Sequence, residues 1–189
     1  KNRIYKSCLI ALSITFLFTM LACAGSGSNA DVDSSIHVDN SGTITGQGTA
    51  TDPVNDIARA ISMAKEAGVS VKIAEGVYNS ENGIVMVEGV SLYGGFKNNN
   101  GAWTKDASAV TTINNVICLE TITTDTVIDG FTIVSNATTE AIAVLCDGGS
   151  PTISNNIINA APQLAPSSLT KLANGIYCVN SNAKIVDNK

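Results

Sequence analysis

The side chains able to do chemistry in this sequence are mostly sulfur and carboxylate, and their spacing comes first. Cys146 lies seven residues before Ile153 and Cys178 seven before Ile185, so Val144-Leu145-Cys146 and Ile176-Tyr177-Cys178 hold equivalent places. Val116-Ile117-Cys118 is a third copy, ten residues before Ile128, which needs a three-residue insertion. A column of thiols could bind a metal, form disulfides or fill a core. Three cysteines with no histidine among them lack a usual ligand set, and the only histidine is His37, so no metal site is expected. Neighbouring parallel strands, about 4.8 Å apart, bring Cα atoms within disulfide reach but hold Cβ atoms too far apart for an unstrained bond. The expected role of Cys118, Cys146 and Cys178 is therefore packing, as small buried hydrophobes.

His37, inside the alternating piece Ile36-His37-Val38, is expected on a strand surface, because no second titratable group stands beside it to make a general base. Asp129 precedes Gly130 and Asp147 precedes Gly148-Gly149, positions where aspartate is favoured for local hydrogen bonding in a turn. Asp125 is expected in solvent. None of these residues is assigned a catalytic role. Trp103, the sole tryptophan, could stack on a sugar ring or cover the side of the fold. With Asn98, Asn99 and Asn100 it forms the candidate ligand-binding set, since loops on a rigid scaffold commonly carry recognition. A second excursion runs from Ala160 to Ala173 and contains Pro162 and Pro166. Tyr93, Phe96 and Tyr177 are expected to pack.

The elements that must position these groups form a repeat. Thr126-Val127-Ile128-Asp129-Gly130-Phe131-Thr132-Ile133 reads as two short strands joined at a corner by Asp129-Gly130, because apolar and polar residues alternate on both sides and glycine allows the bend. The phrase returns as Thr152-Ile153-Ser154-Asn155-Asn156-Ile157-Ile158 and as Lys184-Ile185-Val186-Asp187-Asn188. Ile73, Leu92, Ile113, Ile128, Ile153 and Ile185 are aligned as equivalent positions, although the 15 residues between Ile113 and Ile128 are short for a full coil. Asn156 and Asn188 match, which predicts an asparagine ladder at one corner. Ahead of the repeat, Asp52-Pro53 is expected to open a helix with Val54, Ile57, Ala58, Ile61 and Ala64 on its apolar stripe and Gly68 at its end. That helix would cover the open end of the stack of strands.

The first residues read as an address. Lys1, Arg3 and Lys6 precede 15 mostly apolar, uncharged residues from Cys8 to Ala22, too short for a comfortable span of about 20 residues. Met20-Leu21-Ala22-Cys23 resembles the lipobox of bacterial lipoproteins, with methionine where leucine is commoner. That resemblance implies cleavage before Cys23, lipidation of its thiol and anchoring to a membrane through acyl chains. The expected division is a lipoprotein signal peptide at 1–22, a lipidated flexible tether at 23–35, and a repeat domain at 36–189 truncated at its C-terminus. Loss of the three basic residues in the signal takes the net charge from −5 to −8 and leaves Arg59 as the only arginine. Such a balance argues against nucleic acid and against a basic membrane-binding patch.

Three further phrases, Ala74-Glu75-Gly76-Val77-Tyr78, Val90-Ser91-Leu92-Tyr93-Gly94-Gly95-Phe96 and Ile128-Asp129-Gly130-Phe131-Thr132-Ile133, together with Trp103 and the helix, look like right-handed parallel β-helix proteins of the pectin-lyase-like superfamily, in the branch found in bacterial surface proteins. The resemblance covers roughly residues 43 to 189. It implies an all-β, right-handed parallel β-helix (solenoid) with an N-terminal amphipathic capping helix, and an exported, lipid-anchored protein of the outer membrane or cell surface. Adhesin-like binding of polysaccharide, matrix or host components is the expected function, with no cofactor. Enzymes of the superfamily use clustered acidic calcium ligands with a basic residue, or closely placed aspartates. Asp125, Asp129 and Asp147 are the residues that would serve, so a polysaccharide lyase or hydrolase is the alternative, and a structural envelope protein a third.

Overall fold

Alternation of apolar and polar residues broken at frequent Gly, Asn and Asp residues allows only short strands, and among the described residues there are fifteen of them, of two to eight residues, and one helix. The computed structural model describes residues 33–122, 126–135, 137, 140–161 and 172–189. The region Ser34–Lys189 forms one folded unit. The expected signal peptide at 1–22, Cys23, Asp125, Pro162, Pro166 and most of the second excursion lie outside the described residues.

Strand β1 (Ile36–Thr43) precedes helix α1 (Ile57–Ala67). Then come β2 (Val71–Ala74), β3 (Gly76–Asn79), β4 (Ile84–Val85), β5 (Leu92–Asn99), β6 (Ala102–Lys105), β7 (Thr111–Asn114) and β8 (Ile117–Glu120). The chain continues through β9 (Val127–Asp129), β10 (Thr132–Ser135), β11 (Glu140–Asp147), β12 (Thr152–Ser154), β13 (Ile157–Ala160), β14 (Leu172–Val179) and β15 (Lys184–Val186). These strands sort into three sheets. The first orders β1-β2-β5-β9-β12-β15, the second β3-β7-β10-β13 and the third β4-β8-β11-β14. After β1 the chain visits the sheets in the same order on each pass, and every pairing is parallel except that of β5 with β6. The protein is all-β, built on parallel sheets with one helix among the described residues.

Register explains the core. In the first sheet Val71, Leu92, Ile128, Ile153 and Ile185 stand opposite one another in turn. In the second, Tyr78, Ile113, Ile133 and Ile158 align, and in the third Ile84, Ile117, Val144 and Ile176. Like side chains thus stack on like, and the inner members are fully buried: Leu92, Ile113, Ile117, Ile128, Ile133 and Ile153 have no more than 0% exposure. This corrects the alignment taken from spacing. Ile113 belongs to the second sheet, so the coil from Leu92 to Ile128 is complete, and Val71, two residues before Ile73, is the partner of Leu92. An irregularity in pairing between Lys72 and Ala74 then shifts the register of these two strands by one residue.

Corners follow the expected chemistry. After the aligned strands β9, β12 and β15, the left-handed positions are Gly130 (φ 80°), Asn155 (φ 55°) and Asp187 (φ 52°). Glycine takes this conformation freely, and asparagine and aspartate tolerate it best among the others. At Gly149 (φ 75°) an added methyl would run into the Ile122 carbonyl, so only glycine fits there. The asparagine ladder is present: the Asn156 backbone N–H and its Nδ2 both donate to Asn188 Oδ1 at 3.0 Å, while Asn156 Oδ1 accepts the Phe131 N–H at 3.0 Å.

Three expectations need correction. Helix α1 starts later than Asp52-Pro53. Asp56 is its N-cap, accepting the Arg59 N–H at 2.7 Å, and Gly68 (φ 68°) closes it as expected. Val54 is instead held in β-bridges to Val38 and Thr43, and the buried face consists of Ile57, Ala60, Ile61 and Ala64, with Ala58 exposed. The face packs on β1, β2 and β4. Next, Cys146 does stack on Cys178, but Cys118 stands opposite Leu145, and Leu119 takes the place below Cys146. The insertion between Cys118 and Ile128 shifts the phase by one residue, which in a strand turns the side chain to the other face. Finally, Tyr177 and Cys178, expected to pack, are exposed, whereas Phe96 is buried as expected.

Candidate functional site

Two depressions in the described surface are lined in part by residues of the β5–β6 hairpin, one near its turn and the other near its base. Strand β5 is long for this chain because its last residues leave the stack, turn through Asn100 (φ 53°) and Gly101 (φ 94°), and return as β6 in antiparallel pairing. Asn98 fixes the turn, its Oδ1 accepting the Gly101 N–H at 2.8 Å, and its Nδ2 donates to Asp39 Oδ2 on β1 at 2.9 Å. Trp103, on the returning strand, donates its indole N–H to the Ala50 carbonyl at 2.9 Å and meets the His37 ring edge-on at 4.6 Å between centroids. His37 is therefore fully buried, contrary to the expected surface position, because the hairpin lies over it.

The first depression, about 440 Å³, opens between this hairpin and the loop after β1. Asp39, Asp52, Thr51, Asn98 and Asn100 contribute to its lining. Among the described residues that line it, two are carboxylates and none is lysine or arginine. Burial alone would raise the Asp39 carboxyl, but the Ser41 N–H, the Asn98 amide and the Ser41 hydroxyl hydrogen-bond to it and hold it below its ordinary value. The cleft thus presents an ionised carboxylate, amides and hydroxyls, the set that hydrogen-bonds polyhydroxylated molecules. Of the sequence candidates, Asn98 and Asn100 line the cleft, Trp103 stands opposite Asn98 on the returning strand, and Asn99 is exposed on the hairpin.

The second depression, about 290 Å³, lies along the corner after β9 and contains Lys105, Asp129, Asn155 and Ile157. Lys105 donates to the Gly94 carbonyl at 2.6 Å and to Asp129 Oδ1 at 3.1 Å, with its ammonium 5.3 Å from the Phe96 ring centre. Ser154 Oγ and Asn155 Nδ2 donate to Asp129 Oδ2 at 2.8 Å and 2.6 Å. The Asp129 carboxylate, assigned to a local turn from its sequence, therefore ties three strands together. Burial would raise it, and the bonds from Asn155, Ser154 and Lys105 outweigh that and lower it. Held ionised, it is no proton donor near neutral pH. Asp147 ends β11 in another sheet, opposite Glu120, so the structure does not join Asp129 and Asp147 in one site.

Asp39, Asp52, Lys105 and Asn155 were missed by sequence reasoning. Asp39 and Asn98 are 59 residues apart, and only the pairing of strands brings them together. Lys105, two residues from Trp103, had a usable signal: polar residues around a lone tryptophan after an Asn-rich turn mark a hairpin. Among the described residues no group of three or more histidine, cysteine, aspartate or glutamate side chains is placed to hold a metal.

No curated protein and no solved structure matches the chain significantly. One family model does, over residues 40–186, a span that takes in the hairpin, the second depression, the lining of the first except Asp39, and every strand from the end of β1 to β15. On that match the chain belongs to the family described as Protein of unknown function (DUF1565).

Proposed function

We propose that this protein is an exported, lipid-anchored, right-handed parallel β-helix of the pectin-lyase-like type that binds polysaccharide at the cell surface through the cleft beside the β5–β6 hairpin. The regular three-sheet cycle and a family associated with parallel β-helix proteins support closure of the strands into a solenoid, with α1 covering its first turn. A Met20-Leu21-Ala22-Cys23 signal supports the anchor. The observation that carries binding is the cleft itself: a polar concavity built where a hairpin leaves an otherwise regular stack, with Asp39, Asn98 and Asn100 converging on it.

The test is retention on a panel of immobilised polysaccharides, with mass spectrometry of the supernatants. The expected result is retention by at least one neutral glycan without shortening of its chains, weakened about tenfold by Asn100→Gly, which removes an exposed amide from the cleft and keeps a residue suited to the positive φ there. Retention unchanged in that variant would move the site away from the cleft, and no retention at all would leave a structural envelope role. A second reading has its own support, because Lys105 at 3.1 Å from Asp129 is a basic group beside an acid in a groove. Released oligosaccharides that disappear with Lys105→Ala would make the protein a polysaccharide lyase or hydrolase.

A further inference from the structure

The Asp129 carboxylate holds two nitrogens whose chemistry is complementary. Lys105 Nζ, on β6, donates to its Oδ1 at 3.1 Å, and Asn155 Nδ2, at the corner after β12, donates to its Oδ2 at 2.6 Å. The lysine is fixed from two further sides, by the Gly94 carbonyl at 2.6 Å and by the Phe96 ring. The neighbouring corner leaves room for it: a methyl group at Gly130 would stand 2.6 Å from Nζ and push the ammonium aside. Amine, carboxylate and carboxamide all line the second depression.

We propose that Lys105 and Asn155 become joined by an isopeptide bond, with Asp129 carrying the protons between them. The inference stands apart from glycan binding, and it competes with the alternative reading, since an acylated Lys105 is no longer a base. An ammonium is no nucleophile and a carboxamide is a poor electrophile, so the reaction needs a base at the amine, an acid at the leaving nitrogen, and both groups held beside it. Asp129 touches both nitrogens, one with each oxygen. Against the raising effect of burial, its bonds from Asn155, Ser154 and Lys105 keep it ionised, so it starts as the base.

Asp129 Oδ1 takes a proton from the Lys105 ammonium, and the free amine attacks Cγ of Asn155. The Nζ–Cγ bond forms and the Cγ–Nδ2 bond breaks as Asp129 passes protons from one nitrogen to the other. In all, Nζ gives up two hydrogens, Nδ2 receives both, and Nδ2 leaves as ammonium. No oxidant or reductant is consumed, and Asp129 ends as the carboxylate it was. The bond ties β6, the returning strand of the hairpin that walls the cleft, to the corner between β12 and β13. By closing a loop in the unfolded chain it also favours the folded state.

The test is mass spectrometry of the unsubstituted full chain, as purified and after prolonged incubation, digested with trypsin. Trypsin does not cut after an acylated lysine, so the expected product is one peptide, 98–171, lighter by one ammonia than its sequence requires. Chymotrypsin, cutting after Phe131, should leave Lys105 and Asn155 on two pieces that stay joined, and fragmentation places the bond without recourse to a variant that could fail to fold. Lys105→Arg, which keeps the positive charge beside Asp129, should retain the full mass, and Asp129→Asn should slow the reaction about a hundredfold. Release of peptide 98–105 as the sole form of this segment would overturn the proposal, as would an ammonia loss mapped to another asparagine with Lys105 free. Equal rates in Asp129→Asn would overturn the proton relay.

Discussion

Asn156 is 1% exposed and uses its side chain completely. Its Oδ1 takes the Phe131 N–H, and its Nδ2 hydrogens go to the Ile128 carbonyl and to Asn188 Oδ1. Asn156→Ala would leave a buried backbone donor and acceptor unpaired, at about 1–3 kcal/mol each before relaxation, so a loss of about 3 kcal/mol is expected from urea unfolding. Asn188→Ala, at the half-buried end of the same ladder, should cost about 1 kcal/mol. Equal losses at the two positions would contradict a graded ladder. The ladder was legible because Asn156 and Asn188 sit at the same offset from Ile153 and Ile185. The Cys118 offset was not, because counting residues gives the size of an insertion and not where in the coil it is absorbed.

Sequence placed the start of helix α1 at Asp52-Pro53, whereas the carboxylate that caps it is that of Asp56. Val54 decides between them. It is fully buried and bridged to Val38 and Thr43, which commits the chain to extended structure until Asn55. Asp52 turns back instead and accepts the Gln47 N–H at 3.0 Å. Asp56→Ala should therefore cost about 1 kcal/mol of stability and speed hydrogen exchange at the Arg59 amide, whereas Asp52→Ala should leave that amide protected. Faster Arg59 exchange in the Asp52 variant would restore the earlier start. The β5–β6 hairpin is the other element whose role depends on tertiary contact, because its polar turn becomes a cleft wall only against Asp39 and Ala50.

For the molecule as a whole, the proposed lipid anchor can be tested separately from the stack of strands. Among the described residues no helix is long and apolar enough to cross a membrane, so membrane retention rests on Cys23 in the proposed arrangement. Cys23→Ala is expected to abolish acyl labelling and release the protein from the membrane fraction with its far-ultraviolet spectrum unchanged; unchanged retention would count against the lipid anchor. By itself the sequence determined the all-β class, the repeat, the corners and their Gly, Asn and Asp residues, and the end of the helix. Each of these follows from local conformational preference or from period-two patterning, which are properties of neighbouring residues. Only the tertiary structure decided that Ile113 lies in the second sheet, that His37 is buried, that Asp129 binds Lys105, Ser154 and Asn155, and that Cys118 falls out of phase with Cys146 and Cys178. Those contacts join residues up to 66 positions apart, and their register is set by the summed packing of three sheets, for which no short stretch of sequence carries a signal.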